Sequence, residues 1–176
     1  MAILAGPFLV AAALLGAGGA VKVVRPTTTA RALGEMGLPA STTLVRLGAG
    51  TELAVAAYAM FHAGRLSAAL VAGSYLAFAA FVLVALRRNA PLSSCGCFGV
   101  ADTPPTTLHV GINAAAAAVA GAVALGWAEG GGLSEITTME APLLLRTAFV
   151  VLTAASLWFA YVALTALPKL HAAGRP

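Results

Sequence analysis

Hydrophobic positions fall in five long blocks, separated by short polar stretches rich in proline, glycine and charge. Residues 2–24 carry no charge before Lys22, and the blocks at 43–61, 66–86, 108–127 and 143–167 follow in order. None shows the alternating period of a half-buried strand. Each is long enough, at about 20 residues, to cross a bilayer as a helix. The expected fold is therefore all-α: an integral membrane helical bundle forming one domain over 1–176.

The interruptions predict how the blocks are joined. His62-Ala-Gly-Arg65 is too short for anything but a turn, so the second and third spans form an antiparallel hairpin. Pro26 is expected to stop the first helix. Thr29 to Met36 is expected to make a short interfacial helix, closed by Gly37 and Pro39. The stretch 89–107, with Pro91, Pro104 and Pro105, is a loop that cannot continue a helix. A cleaved secretory signal is the rival reading of the first block. That block lacks a basic n-region and is longer than the usual 7–15-residue apolar core, which favours a retained span.

Composition agrees with this pattern. Charged residues make up 9% of the chain and hydrophobic ones 60%, whereas a soluble domain needs about a quarter charged to solvate its surface. The formal net charge of +4 comes from residues at block ends rather than from a patch, which argues against nucleic acid and for membrane orientation. With five spans, Lys22, Arg25, Arg31, Arg46, Arg87, Arg88, Lys169 and Arg175 share one side and Arg65 and Arg146 the other. The excess of Lys and Arg marks the cytoplasmic side, so the N-terminus is expected outside and the 89–107 loop at the cytoplasmic face.

That arrangement gathers the few chemically capable residues at one end. Lys22 closes the first span, Glu52 lies about two turns into the second, and His109 and Asn113 sit one turn apart at the start of the fourth. The loop before them holds both cysteines, Cys95 and Cys97. An ionised Glu52 facing lipid would cost about 2.5 kcal/mol or more, so it is expected to face the interior, with Lys22 as counter-ion. The plainer reading lets Lys22 snorkel and Glu52 act as interhelical glue. For His109 the plainer reading is a helix cap beside Thr106 and Thr107, and for Asn113 it is packing.

Cys-x-Cys on its own leaves several chemistries open. Structural zinc needs four ligands, and His109 is the only further strong candidate nearby, so no metal site is assigned. Cu(I), which accepts two thiolates, acylation at the interface and thiol–disulfide exchange stay open. A bond between cysteines one residue apart closes a strained and readily reduced ring, which suits exchange chemistry better than structural stapling. Gly96 and Gly99 leave the sulfurs accessible, and Arg87, Arg88 and His109 favour thiolate.

Several stretches resemble the MauE/DoxX-like group of small bacterial membrane proteins. They are Gly18-Gly-Ala-Val-Lys22 with Arg25-Pro26, the connector Arg31 to Pro39, Glu52-Leu53, and above all Arg87-Arg88 followed by Cys95-Gly-Cys-Phe-Gly99. The resemblance covers about residues 8–127. It implies a four-helix DoxX-like core with a fifth span outside it, and a redox-associated protein of the bacterial inner membrane. It further implies a role beside a thioredoxin-like protein or client redox protein, as in maturation of methylamine dehydrogenase. Cys95 and Cys97 carry over as the redox pair. The expected mechanism adds Glu52 and His109 as proton-handling groups and a quinone as the electron acceptor at the mouth of the bundle. The rival is a non-catalytic assembly scaffold or metal-binding protein.

Overall fold

The computed structural model describes residues 4–88, 104–133 and 142–166. Cys95 and Cys97 lie outside the described residues. The helices are α1 (Ala5–Val24), α2 (Pro26–Glu35), α3 (Thr42–Phe61), α4 (Arg65–Arg87), α5 (Thr107–Ala124) and α6 (Leu143–Thr165). Among the described residues five of these, all but α2, are long and apolar enough to cross a membrane, and no strand occurs. The chain is an all-α membrane bundle.

Four helices share one core. Phe8, Ala12 and Leu15 of α1 meet Ala56 and Ala59 of α3, Ala68, Val71 and Tyr75 of α4, and Ala117 and Ala120 of α5. α1 is the hub, touching every other helix, and half of its spanning window is buried. Helix α6 contributes nothing to this cluster and rests on α1 and α5 with only 6% of its window buried. Apolar surface drives nothing between helices already in lipid, so close approach of small residues has to hold them together. At Gly19 a Cβ would stand 3.0 Å from the Ala49 carbonyl and 3.2 Å from the Glu52 Cβ, which fixes how tightly α1 and α3 cross. The buried Tyr75 hydroxyl donates to the Ala11 carbonyl at 2.7 Å and ties α4 to α1.

The α3–α4 hairpin closes through Ser67. Its hydroxyl accepts the Gly64 N–H at 3.1 Å and reaches the His62 carbonyl, supplying a partner for a helix-end group that would otherwise lack one.

Two expectations need correction. Pro26 ends α1 but also begins α2, three residues earlier than the pattern around Thr29 indicates. Proline forces the preceding Arg25 out of helical geometry (φ −125°, ψ 69°), and at N1 its missing N–H goes unneeded. The fourth span, α5, stops at Ala124, not 127. Gly126 takes φ +75° and the N–H groups of Gly126 and Trp127 bond back to Val123 and Ala122, a Schellman stop that apolarity alone does not reveal. Gly37 ends α2 in the same way, at φ +74°.

Candidate functional site

Lys22 is the last polar residue of α1 and, at 4% exposure, is buried. It does not snorkel. Its ammonium donates to Glu52 Oε1 at 2.6 Å and lies 4.6 Å from the centre of the Phe78 ring on α4. Glu52 Oε2 is 2.5 Å from the same nitrogen and fully enclosed, so the ammonium serves both carboxylate oxygens. The pair thus joins α1 to α3 and lies against Phe78 of α4. In a low-dielectric setting each charge is tolerable only because of the other.

Beside the pair lies a cavity of about 300 Å³ between α2, α3 and α4. Ala32 and Leu33 of α2, Val45, Gly48 and Ala49 of α3, and Phe78 and Phe81 of α4 form its apolar walls, while Lys22, Glu52 and Thr29 give it one polar end. The amphipathic α2 roofs this space: Ala32 packs on Ala85, with Met36 and Phe81 against them. Sequence reasoning found Lys22 and Glu52 but missed the roof and the aromatic wall. The signal was available in Phe78, Phe81 and Ala85, which recur at helical spacing on one face of α4.

His109 is fully buried and both ring nitrogens are engaged, Nδ1 with the Thr106 hydroxyl at 2.9 Å and Nε2 with the Leu164 carbonyl at 3.2 Å. A carbonyl only accepts, so Nε2 carries the hydrogen. Leu164 stands in the last turn of α6, where carbonyls lack helical partners, so His109 caps α6 and holds it to α5. Asn113, one turn on, is 4% exposed, and its amide nitrogen finds no hydrogen-bond partner among the described residues. Lys22 and Glu52 are therefore brought together, whereas His109 bonds to a different set. Among the described residues no group of three or more His, Cys, Asp or Glu side chains is arranged to hold a metal.

The cysteine-bearing segment leaves α4 at Arg88 and rejoins the described chain at Pro104. Antiparallel packing of α4 and α5 puts both anchors at the end where His109 meets the last turn of α6. Phe78 is ten residues before Arg88, about 15 Å along α4.

The family model described as Methylamine utilisation protein MauE matches residues 1–128. The chain belongs to the MauE family. The match ends just past α5, so it takes in the four helices that share the core and leaves out the loosely packed α6. No curated protein and no solved structure matches the chain. Family and fold together make it a multi-pass membrane protein linked to methylamine utilisation.

Proposed function

We propose that this MauE-family protein is a membrane thiol-redox protein in which Cys95 and Cys97 exchange between dithiol and disulfide to assist maturation of a disulfide-bearing partner. The observation that carries the reading is the buried Lys22–Glu52 pair, with a cavity beside it, in a bundle whose only two cysteines hang from the ends of α4 and α5. Cys95 is seven residues from Arg88, a covalent reach of up to about 25 Å, enough to cover the distance to Phe78. Pairing the thiols forms one S–S bond and releases two protons and two electrons. Glu52 is the group suited to take up a proton, and a quinone dissolved in the bilayer is an acceptor of the right class for the electrons. His109, with both nitrogens occupied, fits the role of a tie between α5 and α6 better than that of a proton carrier.

The distribution of basic residues supports a cytoplasmic position for the 89–103 segment and an outside N-terminus. The family's description fits an enzyme of methylamine use as the client, and a thioredoxin-like protein is the exchange partner in this proposal. Alkylation of cells with membrane-permeant and impermeant thiol reagents reads sidedness and oxidation state together. Cys95→Ser/Cys97→Ser is expected to insert normally and to abolish client maturation. A pair that is never oxidised in cells, or full maturation by the double variant, leaves a non-catalytic scaffold as the function.

A further inference from the structure

We infer that the cavity under α2 binds the headgroup of a lipid-soluble quinone, with Lys22 hydrogen-bonding a ring carbonyl of the oxidised form and the Glu52 carboxylate accepting a hydroxyl hydrogen of the reduced form. The assignment rests on the thiol-redox reading for its turnover, but the binding site stands on the geometry alone.

Size narrows the ligand. At about 300 Å³ the space is at the lower end of small-molecule sites, enough for a ring system and far short of a whole lipid. The walls ask for a flat apolar body, with Phe78 and Phe81 on one side and Leu33 and Val45 on the others. Charge narrows it further. Lys22 and Glu52 neutralise each other, so an anionic headgroup would meet Glu52 and a cationic one would meet Lys22, whereas a neutral carbonyl compound meets neither penalty.

The two polar groups match both redox forms of such a ligand. An ammonium has three donors and Glu52 occupies only part of them, which leaves one for a carbonyl oxygen. The Glu52 side chain is only half-buried, at 16% exposure, and a carboxylate has more lone pairs than one ammonium uses, so it can accept a hydroquinone hydroxyl as well. The site also has a door for a hydrocarbon tail. A Cβ at Gly48 would meet nothing within 4 Å, and Leu44 one turn away is exposed, so the α3 side of the cavity opens toward lipid. In turnover the quinone gains two electrons and two protons and becomes the hydroquinone, while Cys95 and Cys97 lose two hydrogens and form their S–S bond. One of the protons passes by way of Glu52.

The test uses the full chain in lipid nanodiscs and ubiquinone-1 as the probe, with binding followed by equilibrium dialysis. Gly48→Phe is directed at the mouth, where an added Cβ meets nothing within 4 Å, and Ala77→Phe at the α4 wall, which Ala77 helps to line. Each is expected to weaken binding at least tenfold, with gel-filtration behaviour unchanged. Cys95→Ser/Cys97→Ser is expected to bind as the unaltered chain does, so full client maturation by that variant with retained binding rejects the redox reading and leaves the site standing. Unaltered ubiquinone-1 affinity in whichever of the two filled variants stays folded overturns the site. So does binding to the unaltered chain no stronger than to protein-free nanodiscs.

Discussion

Where α3 turns into α4, three residues suffice. Ser67 ties the turn to itself, and the neighbouring 126–132 stretch lies so close that a Cβ at Gly132 would stand 3.0 Å from the Met60 carbonyl. At the other end α3 follows a roofing helix, α2, and α4 leads into the long 89–106 connection, and there the chain buries an ion pair beside a cavity and, apart from it, a histidine and an asparagine. The first end is held by backbone geometry and small residues, so one bond more or less changes little. The second is held by polar groups in a low-dielectric setting, where each depends on a partner. A membrane protein can accept such an expensive end if chemistry happens there.

Substitutions can break or sharpen that contrast, and the largest effect belongs to the ion pair. Lys22→Met strands the Glu52 carboxylate and is expected to cost about 4 kcal/mol in detergent-titrated unfolding. Lys22→Met with Glu52→Met is expected to recover most of this loss, because neither charge is then left alone. A double variant as unstable as the single one would deny that the two residues act as a pair.

Next comes Gly19→Val, which forces a branched side chain against the Ala49 carbonyl. A loss of about 3 kcal/mol is expected, through separation of α1 from α3. His109→Ala follows at about 2 kcal/mol, since it frees the Leu164 carbonyl and opens a void. Limited proteolysis should then remove α6 first and leave the four-helix core intact. Simultaneous loss of the core would show that α6 is more than an appendage.

The smallest effect is expected at the quiet end. Gly126→Ala places a side chain at φ +75° and should lower stability by about 1 kcal/mol. The Arg65 guanidinium near that position is flexible and can step aside. Thermal midpoints in the same detergent give the comparison directly, and a Gly126→Ala defect as large as that of Lys22→Met would erase the distinction between the two ends.

Much of this was legible in the chain itself. Block length and the scarcity of charge dictate membrane helices, because a backbone in lipid must satisfy its own hydrogen bonds and side chains facing lipid must be apolar. The short turn at 62–65 dictates a hairpin, and the lone acid Glu52 in an apolar block asks for a partner, with Lys22 the nearest plausible counter-ion, although a snorkelling Lys22 fitted the same pattern. These are local or one-to-one requirements, and a sequence states them openly.

The tertiary structure alone decided the rest. Five blocks of similar apolarity do not say that α1 is the hub and α6 the outlier, since lipid welcomes both equally and only the fit of small residues separates them. Nor does a histidine at the start of a helix announce that it caps another helix fifty-five positions later. The cavity depended on α2 folding back over Phe81 and Ala85, a choice set by the proline at its first turn and by the face it then presents to α4. Spacing along the chain fixes which groups exist, but which of them share a low-dielectric space is fixed only when the helices cross.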